Sequence, residues 1–506
     1  MMMPLAAGLL GLAAGVGSQI CAAQAAPIQT ADFGAIAIGV SAKTAGITVS
    51  FSAPVTVSAI QVGTQGSAGL DFTLAQGDAG TCAPGTYAAG ASCTVNVNFV
   101  PTTAGLRSGA AVLFGTDGMP LAIQRVRGTG VGPVAVFNSG STQSGIGTLA
   151  NALAVAVDAS GNRFVADTGN GRIVQITAAG TQSTIASGLR EPVAIAVDAA
   201  GNLLVADGSL GQVLLFARGV SGVTATPVVI ADNLNGIAGL AIEPDGSVVV
   251  SLAASRQVLE LAKQGQPVVL ASFAAGFTPG AIAVDSHGKL FVSATDAGSV
   301  AEIVPGGSPV IVLSGLKGPA GLAVDAAGNI YVAEKYGHDV VEFSGTGASA
   351  TGERGKTVLA KYIAANAVAL EADGSLAVVT AASGLVEIRR SNVMADFGPL
   401  ANRMRLESAV QNIGSAPLVL SSVQVSTLTA GVNGAFAQAA TGGQDCVAGE
   451  TLAAAQSCSL AVQAAPPAHT SATATRVSGQ ALVVSNTLNT VGSLSLLHTN
   501  AMGSDM

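Results

Sequence analysis

The chain has 506 residues, of which 49% are hydrophobic and only 10% charged, and it carries 65 glycines. That length leaves room for roughly two to four domains, and the Ala, Val and Gly bias suits short strands joined by tight turns. A net charge of −8 without any cluster of Lys or Arg argues against a nucleic-acid partner, because neutralising phosphates needs concentrated basic side chains. Beyond the N-terminus no uninterrupted apolar stretch reaches the roughly 20 residues that a bilayer demands, so no membrane span is expected despite a mean hydropathy of +0.56.

Residues 1–25 read as a signal peptide: an apolar run ends at Ala23-Gln24-Ala25, a small-residue pattern that places cleavage before Ala26. Cys21 falls within the discarded part. Export to a secreted or extracytoplasmic location, periplasm or cell surface, is the consequence. Residues 26–132 alternate apolar and polar positions in "GITVSFSA", "VTVSAIQV" and "CTVNVNFVP", with Gly, Ser and Asp turns between, as the strands of a sandwich do. Cys82 and Cys93 form one local pair here, and Cys446 and Cys458 form another in a similar later segment. Each is expected to be a disulfide, consistent with an oxidising compartment. Neither pair has a neighbouring His, so no metal is expected there.

Between them one phrase recurs six times. An acid ends the first apolar run at Asp158, Asp198, Glu243, Asp285, Asp325 and Glu371. A glycine follows three residues later at Gly161, Gly201, Gly246, Gly288, Gly328 and Gly374, and a third run begins fifteen residues after each acid. Four short strands every forty-odd residues predict an all-β, six-bladed β-propeller. The acids are read as structural: each carboxylate accepts N–H bonds within its own turn, and the Gly takes a positive φ.

The sixth repeat lacks an evident fourth strand. Residues 133–150 precede the first repeat, and their segment "PVAVFNSG", Pro133 to Gly140, is expected to supply the outer strand of the last blade and close the ring. The propeller is thus assigned to 133–395. Residues 396–506 start again with Asp396-Phe397-Gly398 and read as a second copy of the first sandwich, although Pro466-Pro467 departs from the pattern.

The stretch "VDASGNRFVADTGNGRI", Val157 to Ile173, resembles the NHL repeat. The opening Asp32-Phe33-Gly34, the Cys82/Cys93 loop, Phe99-Val100-Pro101 and the terminal Gly128-Thr129-Gly130 resemble the choice-of-anchor D domain of the abnormal-spindle/hydin class. That resemblance implies Ig-like β-sandwiches at both ends, acting as binding or assembly units.

Of four histidines, His469 and His498 lie in the C-terminal part and His287 in a turn. His338 lies in "AEKYGHDV" with Glu334, Lys335, Tyr336 and Asp339, on the connection between second and third strands, where propellers commonly bind ligands. Asp167, Asn170, Arg172, Asp207 and Asp296 belong to the matching connections of other repeats, and these ten residues are the candidate ligand-binding set. The inner strands offer little besides Asn366, so no catalytic residue, metal or cofactor is assigned. The expected function is non-enzymatic binding of a protein or glycan. The alternative is a metal-dependent hydrolase or lyase at the channel mouth, which requires carboxylates from several repeats to converge.

Overall fold

In the computed structural model, residues 30–40, 42–138, 141–224, 226–262, 266–303, 307–348, 354–382, 384–399, 405–428, 436–441, 443–464, 476–487 and 492–499 are described. The leader segment, with Ala23-Gln24-Ala25, and Pro466-Pro467 lie outside these residues. The described part is all β, with one short 3-10 turn at Thr168–Asn170 and no helix long and apolar enough to cross a membrane.

Six four-stranded antiparallel sheets follow one another through the middle of the chain. The first comprises Ala154–Val157, Arg163–Asp167, Arg172–Ile176 and Gln182–Ser187, each strand pairing with the next. The four sheets after it repeat this order. Their second strands, such as Leu203–Asp207, Leu290–Ala294 and Ile330–Glu334, are buried along their whole length. These strands pack on both faces, which is why they read as continuous apolar runs rather than alternating ones.

Alternate side chains of one strand serve opposite neighbours, following the period of two. Phe164 and Ala166 pack toward the second sheet, with Leu203, Val205 and Phe216, while Val165 joins Ala377, Val379 and Leu385 of the sixth. Apolar clusters of this kind fill every gap from one sheet to the next, including the gap between sixth and first. The sheets therefore form a closed ring, the architecture of a β-propeller.

The strand that completes the sixth sheet differs from expectation. Ser141–Ile146 pairs antiparallel with Gly384–Arg389 as its outer strand. The preceding Ala135–Phe137, expected in that role, instead pairs with Arg405–Asn412 of the C-terminal sandwich. Val136 and Phe137 are apolar and fully buried between sandwich and propeller, so burial takes them inward and leaves the polar "STQSGI" to cover the outer edge.

The two flanking sandwiches share a topology. In the N-terminal one, Thr30–Ala37 runs parallel to the last strand, Pro120–Val131, and Lys43–Ser50 pairs with Ser92–Phe99. In the C-terminal one, Asn392–Pro399 runs parallel to Gly492–Thr499, and Arg405–Asn412 pairs with Ser457–Ala464. Both disulfides form, Cys82 to Cys93 and Cys446 to Cys458. The N-terminal core stacks Phe72 on Phe99 and sets the Phe33 ring edge-on and tilted against them.

Candidate functional site

The antiparallel order of each sheet puts its acid-bearing first turn on one face of the ring and its second-to-third-strand loop on the other. On the first face the acids act within their turns. Asp158, Asp198, Asp285 and Asp325 each accept N–H bonds of 2.8 to 3.0 Å from the residues two and four positions on. Where the repeat has Glu243 or Glu371, the task passes to Asp245 and Asp373, which accept from Ser247 and Ser375.

All six acids nevertheless line a single cavity of about 350 Å³, because the N-terminal sandwich covers this face. Thr30 donates to the Asp245 carbonyl and Thr103 to that of Ala372, and Arg125 lies across Gly246. Burial, with Asp245 and Glu260 nearby, pushes the Glu243 carboxyl up to about 7. Burial likewise takes Asp325 to about 7, against the hydrogen bonds from Tyr331 and Asn329. Among the described residues no three His, Cys, Asp or Glu side chains gather as a metal-holding group.

Several sequence-predicted residues on the other face are engaged within their own sheets, mainly by the connection that leads into the sheet's first strand. Asp167 is fully buried and accepts from the Ala150 amide at 2.6 Å, Asn170 at 2.9 Å and Arg172 at 2.6 Å. Asp207 accepts from the amides of Arg190, Glu191 and Leu210. Glu334 is 1% exposed and accepts from the Lys317 amide at 3.0 Å and from Lys356 at 3.3 Å. Asp296 takes the amide and hydroxyl of Thr278, which hold its pKa below the ordinary carboxylate range against a burial that raises it. Asn366 donates to the Ala152 carbonyl across the seam between sixth and first sheets. His287 is 82% exposed, as a turn residue should be; His469 and the side chain of His498 lie outside the described residues.

Lys335, Tyr336 and His338 stand apart from this pattern, because all three are exposed and, among the described residues, no side-chain hydrogen bond or ion pair engages them. Asp339, beside them, is half-buried and in register with Lys361. Three chain segments are zipped together here. Lys335 and Tyr336 donate backbone bonds to Gly318 and Lys317, and Ile363 donates to the His338 carbonyl at 2.7 Å. The Tyr336 ring rests on Gly318, where any Cβ would meet it at 2.4 Å. Tyr336 remains 66% exposed and Tyr362, missed in the sequence, 92%.

The backbone at this point is unusual. Thirteen residues after each repeat's acid stand Gly171, Gly211, Arg256, Gly298, His338 and Gly384, all left-handed, and His338 has φ 57°. Tyr362, φ 62°, precedes the amide that bonds this carbonyl; Gly188, Asn233 and Gly315 hold the same place in other sheets, again left-handed. A side chain in that region costs roughly 1–2 kcal/mol relative to glycine. The fifth sheet therefore carries a side chain at both left-handed positions despite that cost. Superposing the repeats on their glycines would have exposed both residues in the sequence.

No family model matches the chain, and no curated protein matches it. Among solved structures it is similar to virginiamycin B lyase from Staphylococcus aureus, at 11% identity over 49% of this chain and 87% of that one, with a TM-score of 0.37. It is also similar to a gluconolactonase from Xanthomonas campestris, at 15% identity over 49% and 89%, TM-score 0.41. An auxiliary nutrient binding protein from Bacteroides ovatus matches at 11% identity over 72% and 97%, TM-score 0.41. These likenesses concern fold alone and assign no activity. The ring of sheets, the six inter-sheet cores and the covered face describe an all-β protein built on a β-propeller.

Proposed function

We propose that the protein is an exported binding or scaffold protein: a six-bladed NHL-type propeller, mounted between two Ig-like sandwiches of choice-of-anchor D type, that presents its free-face loops to a protein or glycan. The observation carrying this reading is the pair Tyr336 and Tyr362, exposed on adjoining segments of the face away from the N-terminal sandwich. Exposed tyrosines held by a rigid backbone supply contact area at low entropic cost. The internal bonds of Asp167, Asp207 and Glu334 favour binding over the metal-dependent alternative, whose carboxylates would have to be free to converge. Both disulfides accord with an extracytoplasmic location.

Capture from an envelope extract, run side by side with wild-type protein and a Tyr336→Ala/Tyr362→Ala double variant, tests the reading. A partner retained by the wild type and lost by the variant is expected. Equal retention, or chelator-sensitive turnover of a lactone or amide, would overturn it.

A further inference from the structure

The partner's chemistry is legible in the charges around the two tyrosines. Lys317, Lys335, Lys356 and Lys361 are four of only seven lysines in the chain, and all fall within 45 residues of sequence on the fifth sheet and its two flanking connections. Lys356 is occupied by Glu334. Lys317, Lys335 and Lys361 are exposed, and none forms an ion pair with a described residue. The nearby acids are engaged or withdrawn: Glu334 is buried, Asp296 is bonded to Thr278, and Asp339 is half-buried. Three free ammonium groups and two exposed tyrosine rings thus share one patch, on a protein whose overall charge is −8.

We propose that this patch binds an anionic polysaccharide, one bearing carboxylates on its sugar rings. The inference rests on the binding reading above and supplies its ligand class. An ammonium is a compact point charge suited to single carboxylates spaced along a polymer. The tyrosines keep most of their surface in solvent, 66% for Tyr336 and 92% for Tyr362, whereas a folded protein partner anchors by burying hot-spot side chains in desolvated pockets. A chain of sugar rings needs only flat faces to lie on. Arg256 of the third sheet shares the left-handed position of His338, but only the fifth sheet also places a side chain larger than Asn at the second left-handed position, Tyr362, and strained backbone of this kind marks sites where a side chain has a use.

Polygalacturonate serves as the probe, with its fully methyl-esterified form as the uncharged match, both run by affinity electrophoresis at low and high salt. The wild type is expected to be retarded by the acid form only, with retardation weakening as salt screens the charges. Lys335→Ala/Lys361→Ala should weaken binding by about tenfold, the range of two lost exposed charge pairs, and Tyr362→Ala by about fivefold, the range of one lost aromatic contact. His338→Gly should weaken binding by roughly threefold while leaving the melting temperature equal or higher, since it relieves a left-handed side chain. A purely structural His338 would show no binding loss. Equal retardation by the esterified polymer, unchanged binding in the lysine variant, or equally tight binding of polyglutamate or single-stranded RNA would each overturn the ligand class. The binding reading would survive those results if captured partners still depended on Tyr336 and Tyr362, and would fall if they did not.

Discussion

Arg163 of the first sheet places its Nε 2.6 Å from Oε1 of Glu371 in the sixth, joining the two ends of the ring 208 residues apart. The guanidinium also donates to the second Glu371 oxygen at 3.0 Å, and Glu387 lies 3.5 Å away. Burial opposes the charge on Arg163, yet the hydrogen bond and charge of Glu371 hold its pKa above the ordinary value. Both side chains are nearly out of solvent, 6% and 11% exposed. Removing one partner of such a pair strands the other, at a cost of about 3 kcal/mol, while replacing both is close to neutral. Arg163→Met should therefore lower propeller stability by that amount in urea unfolding. Adding Glu371→Gln should restore most of it; additive losses would show that the seam does not depend on the pair.

A second buried cation holds the C-terminal sandwich. Arg390, fully buried, donates to Glu342 at 2.9 Å, to the Tyr331 hydroxyl at 2.9 Å, to Gln411 of the sandwich at 3.0 Å and to Asn138 at 3.1 Å. Arg390→Met leaves Glu342 without its charge partner and should cost about 3–5 kcal/mol. Limited proteolysis should then cleave first between the propeller and the sandwich, near Ser391. Unchanged cleavage kinetics would place the docking energy elsewhere, in the apolar contact of Val134, Val136 and Ile413.

Stability should fall as pH rises toward neutrality. Glu243 and Asp325 have folded pKa values of about 7 against ordinary values of 4.5 and 3.8, so the unfolded chain ionises first. Their contribution is fully retained below about pH 4, declines as pH rises through the interval to about 7, and is flat above it. Glu243 is half-buried, so screening reduces its share to about 1–2 kcal/mol. Glu243→Gln should raise the stability at pH 8 by that amount and leave it unchanged at pH 4. A variant that loses stability at pH 8 would mean that the ionised carboxylate has a stabilising partner.

The disulfides offer a check on the sandwiches. Cys93 and Cys458 are buried in their cores, so Cys93→Ala or Cys458→Ala removes a loop constraint worth about 2–4 kcal/mol. Each loss should appear in its own sandwich by hydrogen exchange and leave the propeller amides protected. Coupled loss of protection would show that docking and folding are one transition.

The amino-acid order by itself was enough for whatever is settled within a few residues or by repetition. The Asp-x-x-Gly turns, the two disulfide pairs and the sixfold recurrence were all readable, because a carboxylate reaches amides two and four positions on and cysteines eleven and twelve apart close small loops. The bonds of Asp167 to the Ala150 amide and of Asp207 to the Arg190 and Glu191 amides span sixteen or seventeen residues and were not readable in this way. Tertiary structure alone decided which segment closes the ring, that one sandwich covers the acid-bearing face, and that Arg163 meets Glu371. It also gathered Lys317, Lys335 and Lys361, which never form a basic run in the sequence, onto one surface beside Tyr336 and Tyr362. Those outcomes depend on competition for burial among segments far apart in the chain: Ala135–Phe137 and Ser141–Ile146 are both short strands, and only the packed sandwich determines that the apolar one turns inward.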